Sequence, residues 1–234
     1  GSVGTMSKEP EDGVPQELGH GSSENTTAES KPRGDFRTLP SGEFEHPFPD
    51  AVAARVGSRN AWIADKHAIT PDNLARLNLN PEWVVSVNRQ STAATTDHHP
   101  LRDGYMNEYP DFVDAVTATR KRIQTGDETI VNCSVGVSRS ATVIATSVAA
   151  AEGKSFSDVI KGIRENRERA NPHLKLRFSA FAYLACQDDR SEELRDADRE
   201  RVNEVADKIR EDSTLDTREE ARFDATIAVV ESNR

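Results

Sequence analysis

The sequence predicts an α/β domain whose central, mostly parallel sheet is flanked by helices on both faces, with a helical extension at its C-terminal end. Three observations carry that expectation. Between residues 60 and 185, short apolar runs rich in β-branched residues alternate with segments of helical period, the pattern of strands joined by crossover helices. Within this span, Ala141, Thr142, Val143, Ile144, Ala145 and the run 148–151 are apolar almost all round, as a helix must be when other elements cover it on every side. The last forty or so residues change texture, with narrow apolar stripes on highly charged segments.

The elements follow in order. Residues 61–64 (Ala-Trp-Ile-Ala) read as a short strand. Thr70 is a helix N-cap with Pro71 at the first helical position, and Leu74 and Leu77 form the apolar face behind it. Residues 83–88 are a β-branched strand, and a polar connection leads from there through His99-Pro100-Leu101 to Asp103. A helix over 109–124 carries Phe112, Val113, Val116 and Ile123 near helical spacing, and Gly126 stops it. Residues 129–132 form a buried strand that delivers the chain to Cys133. Helices follow over 156–169 and 173–185, separated by the breaker Asn171-Pro172. Val202, Val205 and Ile209 make one terminal stripe and Phe223, Ile227 and Val230 another; accessory helices packed on the domain are the first reading, a partner surface the second. Residues 1–5, ahead of Met6, read as a cloning remnant, and the stretch from Ser7 to about Gly34 offers almost nothing to bury, so disorder is expected there. Phe36, Phe44 and Phe48 are anchors for a segment draped over the domain without regular structure. The expected organisation is a tail over 1–45, a domain over 46–190 and a charged helical extension over 191–234.

Composition excludes several function classes. The 234 residues hold 30 Lys and Arg against 40 Asp and Glu, a formal net charge of −10, which argues against nucleic acid held on a basic surface. No run approaches the roughly 18 apolar residues of a bilayer span, and the first residues lack a secretory pattern, so a cytoplasmic protein with no membrane association is expected. The cations are 8 Lys and 22 Arg, a lysine-poor acidic balance that fits a halophilic protein kept hydrated in concentrated salt; a GC-rich genome produces the same bias. The two cysteines, Cys133 and Cys186, have neither the number of a disulfide scaffold nor the spacing of a zinc site, and His98 and His99 lack a spaced partner, so no metal or cofactor is expected.

The chemistry concentrates in Val131-Asn132-Cys133-Ser134-Val135-Gly136-Val137-Ser138-Arg139-Ser140-Ala141-Thr142. An arginine six residues after a cysteine arises by chance for about one Cys in ten at this Arg content, and adding Gly136 and Ser140 lowers this to roughly one in several thousand. A loop of small residues between a strand end and a helix N-terminus can turn its N–H groups inward as a nest for a tetrahedral oxyanion, with Gly136 permitting the curl. Arg139 adds a planar fork for two phosphoryl oxygens. The donors that attract phosphate also favour a thiolate at Cys133, which makes it a nucleophile. Cys186, between Ala185 and Gln187 on an apolar helix face, reads as structural.

These residues resemble the signature of the cysteine-dependent protein tyrosine phosphatases, Cys-x5-Arg-Ser/Thr, and within it the dual-specificity branch, His-Cys-x-x-Gly-x-Ser-Arg-Ser-x-Thr. Cys133, Gly136, Ser138, Arg139, Ser140 and Thr142 match every fixed position after the first. The likeness extends more weakly over most of residues 61–185. The resemblance implies a phosphatase fold and a metal-free hydrolysis of phosphoprotein, of phosphotyrosine or phosphoserine and phosphothreonine. It further implies that Cys133 attacks phosphorus to give a phosphocysteine, that Ser134, Val135, Gly136, Val137, Ser138 and Arg139 cradle the phosphoryl group, and that Ser140 steadies the departing thiolate.

An alkoxide is a poor leaving group, so a general acid is needed. The resemblance implies an aspartate on an upstream loop, and Asp103, 30 residues before Cys133 and followed by Gly104, is the candidate; Asp97 and Asp111 compete. Asn132 departs from the family, which has histidine there, and an amide cannot lend a positive charge to the thiolate. It motivates the rival reading, a phosphate-recognising module with negligible turnover. An RNA 5′-phosphatase is a further alternative. Low-molecular-weight phosphatases place the acid after the nucleophile, rhodanese-like enzymes lack the Gly-x-Ser-Arg-Ser-x-Thr continuation, and the cation-free variable positions of this loop argue against an inositol-lipid phosphatase. Oligomeric state is left open.

Overall fold

Parallel strands with buried apolar side chains on both faces need cover above and below, and this chain supplies it unequally. The computed structural model describes residues 34–39 and 51–234. Its six strands are β1 (Phe36–Thr38), β2 (Val52–Arg55), β3 (Ala61–Ala64), β4 (Trp83–Ser86), β5 (Asp97–His98) and β6 (Thr129–Asn132); the helices are α1 (Pro71–Arg76), α2 (Tyr109–Thr125), α3 (Arg139–Glu152), α4 (Phe156–Asn166), α5 (Leu174–Ala185), α6 (Glu192–Asp212) and α7 (Thr217–Ser232). The sheet order is β1-β2-β3-β6-β4-β5, with β3, β6, β4 and β5 parallel and β1 and β2 added antiparallel at one edge.

Side chains of successive strand residues point to opposite faces, and the core divides accordingly. Trp62, Val84 and Ile130 face α1, packing with Ile69, Leu74 and Leu77. Ile63, Val85 and Val131 face the other way, into a much larger core built by α2 to α7. The expected cover on both faces is present, with one short helix on one side and six on the other. Thr70 caps α1 by accepting the Asn73 N–H at 3.1 Å, and Gly126 ends α2 in the left-handed region at φ 79°. The terminal stripes pack inward: Val202, Ile209, Phe223 and Val230 are buried in the same core, so α6 and α7 are accessory helices of the domain.

Three elements differ from the sequence-based expectation. Residues 36–38 form an edge strand where an irregular drape was expected, because Arg37 turns inward: it donates to the Leu77 and Asn78 carbonyls at 3.0 and 2.8 Å and lies 4.5 Å over the Trp62 ring. Val52–Arg55 pairs between β1 and β3, and the polar connection contains the two-residue β5. Residues 1–33, with Phe44 and Phe48, lie outside the described residues. Among the described residues, no helix is long and apolar enough to cross a membrane.

In the sheet, Ala64, Asn132 and Ser86 lie in register at the C-terminal ends of β3, β6 and β4. Chain segments leaving these ends meet above one sheet edge, where ligands of open α/β sheets bind.

Candidate active site

Cys133 is the first residue past β6, 3% exposed, with its N–H donating to the Ala64 carbonyl at 3.3 Å. The loop after it curls back so that the Gly136 N–H donates to Cys133 Sγ at 3.3 Å, and Ser140 Oγ, in the first turn of α3, lies 3.3 Å from the same sulfur. The sulfur thus sits where the loop's curl meets the first turn of α3.

Gly136 is required twice over. Its φ is +71°, and a Cβ there would fall 2.8 Å from Ala64 C, 2.9 Å from Ala64 O and 3.0 Å from Asp65 N. These are backbone atoms at the end of β3, so the loop rests directly on the sheet edge. Other bonds hold the outer side: Lys66 N–H to Ser134 O at 3.3 Å, Asn171 N–H to Val137 O at 2.9 Å and His173 N–H to Ser138 Oγ at 3.0 Å. Arg139 spans the loop, donating through Nη1 to the Leu101 carbonyl at 3.1 Å and through Nη2 to Ser134 Oγ at 3.1 Å.

Leu101 begins the segment that carries Asp103. Its buried side chain and the bond from its N–H to Val87 O at 2.9 Å fix the segment to the end of β4. Asp103 then caps a single 3-10 turn, Gly104–Met106, by accepting the Gly104 N–H on Oδ1 at 3.1 Å. A pocket of about 370 Å³ is lined by Asp103, Cys133, Ser138 and Arg139 together with Val135 and Val137. The candidate nucleophile, the guanidinium and the candidate acid therefore share one cavity. The competitors do not line it: Asp97 is paired with Arg122 at 3.2 Å and Asp111 lies in the first turn of α2. Ser134, Gly136 and Ser140 support the wall without lining it.

Asn132 has a different task from the one its place beside Cys133 suggests. Its Oδ1 accepts Ser86 Oγ at 2.6 Å and its Nδ2 donates to Asn88 Oδ1 at 3.4 Å, both buried. The amide ties β6 to β4 and its following residues, one strand away from the loop.

Four residues at the site escaped the sequence reading. Arg169 and Asn171 line the pocket on the α4–α5 connection. Arg167, buried beneath, donates to the Val135 carbonyl at 3.3 Å; burial and then Arg169 push its guanidinium below the ordinary value, while Asp65 and Cys133 pull it back. His173 packs edge-on against Tyr105 at 5.0 Å, linking the acid-bearing turn to the loop through its N–H. The breaker Asn171-Pro172 was a signal that this connection is fixed; nothing in its spacing pointed to the pocket. Cys186 is half-buried just beyond α5, and burial pushes its thiol up, away from thiolate chemistry.

No protein-family model and no curated protein matches the chain. Solved structures resemble it. They include structures named as dual-specificity phosphatases and one of a human tyrosine phosphatase-like protein. A mouse protein described as a dual specificity phosphatase, complexed with zinc tungstate, is 21% identical with a TM-score of 0.48, over 61% of this chain and 92% of that one. DUSP15 is 20% identical with a TM-score of 0.49, over 64% and 96%. Human DUSP28 is 18% identical with a TM-score of 0.47, over 61% and 96%.

Proposed function

We propose that the protein is a cysteine-dependent protein phosphatase acting on phosphomonoesters of phosphoprotein, with residues 46–190 as its catalytic unit. The observation that carries this reading is the shared cavity, in which a buried sulfur held by an N–H and a hydroxyl faces both a guanidinium and a carboxyl group.

In the first step, Cys133 Sγ attacks phosphorus, forming an S–P bond as the ester P–O bond breaks. Asp103 in its acid form gives its proton to the departing oxygen. Ser134, Val135, Gly136, Val137 and Ser138 wrap the phosphoryl oxygens, and Arg139 turns its fork from Leu101 and Ser134 to two of them. In the second step water attacks phosphorus, the Asp103 carboxylate takes its proton, and the S–P bond breaks. The thiolate leaves into the hydrogen bond from Ser140, and inorganic phosphate is released. No step calls on a metal or cofactor.

The rival reading, recognition without turnover, rested on Asn132. Its amide bonds Ser86 and Asn88 and lends no charge to Cys133, so turnover itself separates the two readings. The deciding experiment is turnover of an aryl phosphate, followed by acid quench and mass spectrometry of the protein. A phosphate adduct on the peptide holding Cys133, absent in Cys133→Ser and retained in Cys186→Ser, is the expected result. Activity surviving in a folded Cys133→Ser protein refutes the mechanism, and a wild type without turnover on aryl phosphates or a phosphopeptide panel leaves the binding module as the function.

A further inference from the structure

A second cavity, of about 300 Å³, lies between the start of α2 and the outer face of α7, away from Cys133. Lys175 on α5 lines it and is 2% exposed. A lysine so buried ordinarily meets a carboxylate, because the ammonium loses its hydration on burial. This one faces two aromatic rings instead, with Nζ 4.1 Å from the centre of Phe223 and 4.9 Å from that of Phe178. Ring faces return only part of the lost hydration. The nearest charges do not finish the task. Arg222 repels it; Glu219 helps from α7; and Glu108, the acid on the cavity wall, is paired with Arg222 at 2.9 Å. That pair satisfies itself, so among the described residues on the wall Lys175 is the cation left without an ion-pair partner. The remaining wall includes Pro110, Ala225, Val229 and the Tyr109 ring, all apolar surface.

We infer that this cavity is a binding site for a small monocarboxylate with an apolar body, aryl or short aliphatic, whose carboxylate pairs with Lys175 while its body lies against Pro110, Ala225 and Val229. Its volume is at the lower end of small-molecule sites, which sets the size of the body. Phosphate is disfavoured: among the described residues the wall offers Lys175 and an Arg222 already paired with Glu108, where a dianion with four oxygens needs several converging donors. The site does not depend on the phosphatase reading, since none of its residues touches the Cys133 pocket.

The test is a titration of the full chain with 4-fluorobenzoate, followed by 19F NMR, with 4-fluorobenzamide as the uncharged probe of the same shape. Saturable binding with a Kd of roughly millimolar is expected for a ligand of this size. The amide should bind at least about tenfold more weakly. Lys175→Met should abolish binding of the carboxylate, and so should Ala225→Trp, which fills the cavity from its exposed rim if the core substitution fails to fold. Excess inorganic phosphate should not displace the probe. Equal affinity of acid and amide, binding that survives either variant, displacement by phosphate, or no saturation with the carboxylate would each overturn the inference.

Discussion

Substituting Gly136 by alanine tests whether the loop's contact with the sheet edge sets the position of Cys133, the proposed nucleophile. At φ +71°, a side chain adds about 1–2 kcal/mol of local strain. The new Cβ also meets three backbone atoms at 2.8–3.0 Å, none of which can swing aside as a side-chain tip could. Relief requires the loop or β3 to move by several tenths of an ångström, and overpacking of this kind costs about 1–3 kcal/mol. Alanine stiffens the unfolded chain and returns about 0.4–1 kcal/mol. The net loss is about 1–5 kcal/mol, which for a chain of this size is roughly 2–20 °C in Tm. Because the Gly136 N–H is one of two groups on Cys133 Sγ, the same displacement should lower kcat/KM for an aryl phosphate by at least about tenfold. Gly126→Ala is the control: its φ is +79°, but nothing lies within 4 Å of its added Cβ, so it should lose only the strain and keep full activity. The two are compared by thermal melts and steady-state kinetics. Equal losses of stability in both, with turnover intact in Gly136→Ala, would refute the claim that contact with Ala64 and Asp65 positions the loop.

Other outcomes follow from named groups. Asp103→Asn should lower turnover of an unactivated phenyl phosphate by about 10²- to 10⁴-fold and spare an ester with a very good leaving group; a uniform loss across leaving groups would remove Asp103 as the acid. Burial lowers Lys175 to about 8, below its unfolded value, so the unfolded chain holds the extra proton between about pH 8 and 10.4 and stability rises with pH across that window. Lys175→Met should lack that rise in denaturant titrations and be more stable at neutral pH by up to about 3 kcal/mol, less what the Phe178 and Phe223 rings contribute to the wild type. If the net charge of −10 reflects a salt-rich setting, Tm should climb between dilute and molar KCl; a flat or falling Tm would assign the composition to genomic bias.

The parts of the fold legible in the sequence are those whose cause is local. Thr70 and Gly126 announce helix ends because a hydroxyl and a missing Cβ act within their own turn, and β6, the Cys133 loop and α3 are contiguous, so strand, nest and guanidinium can be read in one line. Asp103 was within reach because the resemblance supplied its order along the chain. What stayed hidden depends on distant groups. Arg37 looks like a surface residue until carbonyls of Leu77 and Asn78, forty positions away, surround it. Arg167 is one of 22 arginines, and only the fold shows that it reaches Val135. Asn132 read naturally as a partner of its neighbour Cys133, yet strand alternation turns its side chain toward Ser86, a contact set by the β6–β4 register.

The 3-10 turn that bears Asp103 is tethered at its far side, because Ser213 Oγ, in the link between α6 and α7, donates to the Tyr105 hydroxyl at 2.6 Å. A charged segment that follows the domain's sheet and lines no part of the Cys133 pocket thus has a hand on the turn of the proposed acid. Any swing of Asp103 toward a bound phosphoryl group either drags this link along or breaks a bond worth about 0.5–1.5 kcal/mol, a factor of roughly 2 to 12 in how often the turn closes. Evolution or an engineer could therefore alter the tempo of the proposed reaction from residues 213–216, leaving every atom of the proposed phosphate cradle unchanged.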